Sequence, residues 1–114
     1  MGEAVNAQYK ESAQGRWAQM LLCEQMANVG SEISRALNWR NKGKDDFSKK
    51  AVSRALYLLD LTISPIRKYS RLKELFRVRE GLVDFFYGEN EFSSSEVLWR
   101  KYFDHFNYAA RKNY

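Results

Sequence analysis

The single histidine of the chain, His105, stands five positions after Arg100, across Lys101-Tyr102-Phe103-Asp104. Imidazole titrates near neutrality and can carry a proton at physiological pH, while a guanidinium can hold a phosphate through two parallel hydrogen bonds. Those residue types suit the cleavage of a phosphodiester. Five residues turn a helix by about 140° beyond a full turn, so the two side chains do not share one narrow face. Glu96 and Asp104, four residues either side of Arg100, offer the arginine a plainer use as part of a surface ion-pair ladder.

Two basic groups are the next chemistry-bearing feature, because phosphate binding rests on clustered Lys and Arg. The first holds Arg35, Arg40, Lys42, Lys44, Lys49, Lys50 and Arg54; the second holds Arg67, Lys68, Arg71, Lys73, Arg77 and Arg79. Arg40, Lys42, Lys44, Lys49 and Lys50 are the candidate nucleic-acid contacts. The alternative is a pair of solvated helix ends, where the dipole favours cations near C-termini, and a net charge of +5 is moderate. Glu24, Asp60, Glu80 and Asp84 are acids set within apolar stretches. A buried carboxylate must be paired or protonated, and Arg54, Arg77 and Arg79 are the plausible partners for an internal network that fixes helix register. The carboxylate-bundle pattern Glu-x-x-His is absent from the sequence, so no metal is expected. Cys23 has no Cys-x-x-Cys partner and reads as core filler. No Gly-rich phosphate loop or Gly-x-Ser-x-Gly occurs, which argues against a conventional metabolic enzyme and against a bound cofactor.

Aromatic residues make up 15% of the chain, and Trp17, Trp39, Trp99, Tyr102, Phe103, Phe106, Tyr108 and Tyr114 exceed what a slim helical core readily encloses. Exposed aromatic area marks partner surfaces, which makes Trp17, Trp99, Tyr102, Phe103 and Tyr108 the candidate partner-binding residues. The competing reading is that the first and last helices are simply the most central.

These side chains must be positioned by helices, since a chain with 1 Pro and few β-branched runs finds its apolar order at steps of three and four. A first helix over 7–39 carries Leu22, Met26, Val29, Ile33 and Leu37 on one face, with Gly15 and Gly30 marking a bend or a close helix crossing. Residues 41–46 read as a turn followed by an Asp N-cap. A second helix spans 47–64 and breaks at Ser64-Pro65. Ser70 is expected to cap a third helix that runs to Tyr87 and stops at Gly88. Ser93-Ser94-Ser95-Glu96 fits a capping box at the start of a fourth, with Phe92 and Val97 placed to form a hydrophobic staple. Short joints then imply an all-α fold, an up-and-down antiparallel four-helix bundle occupying 1–114 as a single domain with a short disordered start at about 1–6.

At 114 residues, 45% hydrophobic and 29% charged, the chain has enough apolar surface for one core, and its single cysteine excludes an internal disulfide. No apolar run approaches the ~18 residues of a membrane helix. The N-terminus lacks the pattern of a signal peptide, and Asn6 stands where a myristoylation signal needs Ser or Thr, so the expected location is the cytoplasm.

The stretches Asn28-Val29-Gly30-Ser31-Glu32, Arg54-Ala55-Leu56-Tyr57-Leu58-Leu59-Asp60-Leu61-Thr62-Ile63 and Arg71-Leu72-Lys73-Glu74-Leu75, with the Lys101-Tyr102-Phe103 tail, resemble a group of short uncharacterised prokaryotic helical proteins. That resemblance spans most of the chain, implies a compact helical protein, and transfers no site residues. The layout is also loosely similar to the flagellin export chaperones, small helical bundles that bind a partner chain in a groove. The Arg100-x4-His105 spacing resembles the R-x4-6-H motif of HEPN-domain ribonucleases, helical bundles that pair across a dimer to cleave RNA. That likeness covers one helix and departs from the pattern at Lys101, where a polar residue commonly follows the arginine. It implies phosphate binding by Arg100 and proton transfer or orientation by His105. The leading expectation is a non-enzymatic interaction module, a homodimer or other homo-oligomer with a possible protein partner. The alternatives are the RNA-cleaving reading and a non-catalytic nucleic-acid binder.

Overall fold

The computed structural model describes residues 15–112. Helices α1 (Leu22–Asn41), α2 (Asp45–Ile63), α3 (Tyr69–Tyr87) and α4 (Glu96–Lys112) follow a short helical stretch at 15–18, and no strand occurs among the described residues. The all-α expectation is met.

The long first helix expected over 7–39 is divided. Residues 19–21 leave the helix, and Leu21, in an extended conformation (φ −65°, ψ 151°), precedes α1. Trp17 explains the break. Its indole N–H donates to Thr62 Oγ1 on α2 at 3.1 Å, and its carbonyl accepts from Gln25 Nε2 at 2.7 Å. A straight helix would carry Trp17 along the axis of α1, whereas the break sets it against the C-terminal end of α2. Residues 7–14 of the expected helix, and the expected disordered start at 1–6, lie outside the described residues.

The α1–α2 joint is a left-handed turn at Gly43 (φ +73°), where a side chain would be strained. The Lys44 amide donates to the Trp39 carbonyl and the Gly43 amide to that of Arg40, the paired bonds of a Schellman C-cap. The turn leads straight into α2, so no aspartate acts as N-cap. Lys44 holds that position without a side-chain bond, and Asp45 and Asp46 occupy the first turn, where carboxylates complement the helix dipole. The break at Ser64-Pro65 is as expected, with α2 ending at Ile63.

Ser70 does not cap α3. The helix begins at Tyr69 behind an extended Lys68, because the Lys68 carbonyl already receives the Leu72 amide. At its other end α3 stops before Gly88, as expected. Asp84, expected to join a buried network, instead organises the loop that follows: its carboxylate accepts from the amides of Glu91 (2.8 Å) and Phe92 (3.0 Å). Asn90 then holds Ser94, accepting from its amide and donating to its carbonyl. The cap of α4 is Ser95, whose Oγ accepts from the Leu98 amide at 3.2 Å. Glu96 reaches forward to Arg100 rather than back, and Phe92 and Val97 remain 64% and 72% exposed, so the expected capping box at Ser93 is replaced by a single serine cap at Ser95 and the staple stays open.

One apolar cluster holds the helices together. Met26, Val29, Ile33 and Leu37 of α1 meet Ala55, Leu59 and Ile63 of α2, Leu75, Val78 and Leu82 of α3, and Trp99 and Phe103 of α4. Helix α1 packs against both α2 and α4, and α2 against α3. Two glycines set how closely α4 lies. A Cβ on Gly30 would stand 2.7 Å from Phe103 Cβ, and one on Gly81 would stand 3.1 Å from the edge of the Trp99 indole. Gly30 therefore marks the close helix crossing anticipated for it.

Candidate functional site

Arg100 is built into the seam between α1 and α4. Its Nε donates to Glu96 Oε1 (3.0 Å), Nη1 to Ser34 Oγ (3.0 Å) and Nη2 to Asn38 Oδ1 (2.9 Å). Asn41 Nδ2 donates to the same Glu96 carboxylate at 3.0 Å. Ser34, Asn38 and Asn41, at helical steps of four and three, thus line up along α1 to meet one ion pair on α4. Arg100 and then Asn41 hold the Glu96 carboxyl below the usual carboxylate range. A groove of about 360 Å³ continues beside this seam, lined by Gly30, Ser31, Trp99, Arg100, Asp104 and Asn107 among others. His105 is exposed and lies outside that lining, so the groove does not bring the Arg100 and His105 side chains together.

The aromatic residues expected to form a partner surface divide in two. Trp99 is 8% exposed and Phe103 3%, and both belong to the core. The Trp99 N–H donates to Ser94 Oγ at 3.1 Å. Trp17 is half-buried on Thr62, and Tyr102 is half-buried with its hydroxyl donating to Glu74 Oε1 at 3.3 Å. Burial first, then that carboxylate, pushes the Tyr102 phenol well above its ordinary range. Tyr108 alone of the five is exposed, with Lys112 Nζ 5.6 Å from its ring centre.

Of the acids, Asp60 lies at the surface rather than in a core network, receiving Arg79 Nε at 2.7 Å and Nη2 at 3.3 Å across α2 and α3. That bond holds the Arg79 guanidinium above its ordinary value. Arg54 pairs with Glu32 between α2 and α1 at 3.0 Å, and Glu80 is exposed. Solvent-exposed pairs of this kind contribute roughly 0–1 kcal/mol each. Among the described residues no group of three or more His, Cys, Asp or Glu is placed to hold a metal ion, and no helix is long and apolar enough to cross a membrane.

Sequence reasoning missed the outer face of α3. Tyr69 (77% exposed) and Phe76 (50%) stand with Leu72 along a trough of about 390 Å³ edged by Lys73, Arg77 and Glu80. Arg77 and Glu80 also edge a second hollow of about 400 Å³ lined by Gly81, Phe92 and Trp99, so the two adjoin. Phe76 stands at helical spacing with Leu72, Leu75 and Leu82, as a core residue would, yet it is half exposed. The signal that separates it is the breadth of that stripe, which exceeds what α2 alone can cover.

No family model, curated protein or solved structure matches this chain.

The remaining candidate residues gather at the α1–α2 joint. Arg40, Lys42, Lys44, Lys49 and Lys50 are all exposed. Trp39 and Phe47 stack there, with ring centres 4.9 Å apart and planes 29° from parallel. Lys42 Nζ lies 5.4 Å from the Trp39 ring and Lys50 Nζ 5.7 Å from that of Phe47, while the Arg40 guanidinium sits 4.5 Å from the Phe85 ring. Exposed cation–aromatic contacts contribute about 0.5–1 kcal/mol. Lys42 and Lys50 thus meet an aromatic pair that sequence reasoning had not joined to them, whereas Arg40 turns to Phe85 and Lys49 lines a hollow beside Phe86.

Proposed function

We propose that this chain is a non-enzymatic self-association module, an up-and-down four-helix bundle that pairs with a second copy of itself through the outer face of α3. The observation that carries the reading is the trough over Tyr69, Leu72 and Phe76 together with the order of charges along its edge. Seven residues make two helical turns, so Lys73 and Glu80 project from the same side of α3. When two such helices run antiparallel about a two-fold axis between Phe76 and Arg77, Lys73 of each copy faces Glu80 of the other. A face that complements itself is what an isologous contact needs. Among the described residues Lys73, Arg77 and Glu80 make no salt bridge within the chain, so their charges are available to a neighbour.

Sedimentation equilibrium tests this. Phe76→Glu is expected to weaken the dimer at least about 100-fold, since it places a carboxylate in a desolvated apolar contact. Lys73→Glu and Glu80→Lys are each expected to weaken it, and the double exchange to restore it, because the pairing is then reversed in both places at once. A protein that stays monomeric at several hundred micromolar, or a dimer indifferent to Phe76→Glu, would overturn the proposal.

A further inference from the structure

We infer that the end of the molecule formed by the α1–α2 joint binds single-stranded nucleic acid, with Trp39 and Phe47 stacking on bases and Lys42, Lys44 and Lys50 holding phosphates. The site is separate from the α3 face and does not depend on pairing of the chain.

Trp39 lies in the last turn of α1 and Phe47 in the first turn of α2, and the Gly43 turn folds one onto the other beyond the reach of the core. Neither ring belongs to the apolar cluster that joins the helices, and Phe47 is 50% exposed. Stacking of this pair at the surface therefore does little for the fold, yet it fixes two flat apolar surfaces in one orientation. Bases stack on such surfaces irrespective of sequence because every base has a π-face.

The cations supply the other half of the recognition. Lys42 and Lys50 hold their ammonium groups 5.4 and 5.7 Å from the two ring centres, and Lys44 is the exposed residue at the N-cap of α2. Among the described residues none of the three makes a salt bridge within the chain. An ammonium parked over an aromatic face is held weakly and is displaced when a base takes that face; the phosphate attached to the base then lies within reach of the displaced side chain. Asp45 and Asp46 occupy the first turn of α2, where the helix dipole takes up part of their charge, and Glu96, the acid beside Asn41 at this end, is held by Asn41 and Arg100. A duplex presents its bases already stacked, so it can use the lysines but not the rings. The pairing of cation and ring thus selects single strands.

The deciding experiment is a fluorescence-anisotropy titration with a labelled 12-nucleotide uridine-rich RNA, the same RNA as a duplex, and heparin as a polyanion without bases. The single strand is expected to bind at least about tenfold more tightly than the duplex. Its affinity is expected to fall with salt at a log–log slope of about −2, as for three phosphates neutralised on a single strand. Phe47→Ala, which removes a half-exposed ring, is expected to leave the thermal midpoint within a few degrees and weaken RNA binding about tenfold, with heparin binding unchanged. The Trp39 emission is expected to be quenched on binding, and Trp39→Phe to abolish that quench while keeping most of the affinity. No binding in 50 mM salt would overturn the inference. So would equal affinity for strand, duplex and heparin that Phe47→Ala leaves untouched, since the lysines would then act only as diffuse positive charge.

Discussion

Helix α4 and the α1–α2 joint use the same residue types to opposite ends. On α4, Trp99 and Phe103 press against Gly81 and Gly30, and Arg100 is held by Glu96, Ser34 and Asn38. At the joint, Trp39 and Phe47 press on each other, and the cations beside them meet only ring faces. The first arrangement has a bare helix backbone opposite each ring and neutral acceptors opposite the guanidinium, so both are absorbed into the fold. The second lies in the last turn of α1 and the first turn of α2, outside the cluster that joins the helices, and Phe47 stays half exposed. What separates a structural aromatic–cation cluster from an available one is therefore what lies across from it, and small residues at the right place on the neighbour are enough to decide.

The contrast can be broken most sharply at the tryptophans. Trp99→Ala leaves a large cavity and removes the donor to Ser94, and is expected to cost about 3–5 kcal/mol in urea denaturation, whereas Trp39→Ala is expected to cost under about 1 kcal/mol. Equal losses would show that the joint is as much a part of the core as α4. A smaller effect is expected at the glycine across from Phe103. Gly30→Ala gains about 1 kcal/mol in helix propensity but forces Phe103 aside, and overpacking of this kind costs typically 1–3 kcal/mol. A net loss of about 1–2 kcal/mol, read from the same denaturation curves, is the expected result; a net gain would mean that α4 can withdraw freely.

The mildest test concerns acid. Glu96 titrates lower in the folded chain because Arg100 and Asn41 bind its charged form. The sign follows from linkage: this contribution is fully present above the unfolded carboxyl value, near pH 4.3, and is lost as pH falls through the lower folded value. Glu96→Gln is expected to flatten that part of the acid limb in a stability–pH profile, with no change near neutrality in the slope. An unchanged acid limb would show that the seam contributes nothing through this charge.

Much of the fold was legible because its punctuation is local. Gly43, Pro65 and Gly88 each act on the backbone within a residue or two of themselves, and each joint falls where they stand. The break at 19–21 was not, because it follows from Trp17 finding Thr62, a partner 45 residues away. The serine run before α4 showed that a helix begins there; which serine caps it depends on Asp84 and Asn90 shaping the preceding loop. At the candidate sites the cations at 40–50 were readable as a group, since charge clusters are local in sequence. The burial of Trp99 and Phe103 was hidden, because an aromatic residue at helical spacing looks the same whether its face meets water or a distant glycine. Phe76 shows the converse: its spacing matches that of Leu72, Leu75 and Leu82, but it stays half exposed.

The seam between α1 and α4 also bears on how the chain assembles. Ser48 meets the carbonyl of Ala36 only 12 residues away, whereas Arg100 reaches Ser34 across 66. The entropy of closing a loop rises with its length, and distant contacts return nothing until they are made. By that measure the α1–α2 contacts are the least costly to close and the α1–α4 seam the most costly, with Phe103 reaching Gly30 across a loop longer still. Until that seam closes, the stripe of Met26, Val29, Ile33 and Leu37 is only partly covered. The same close fit that makes α4 inseparable from the finished core makes it the point at which an unfinished chain is most exposed to the wrong partner.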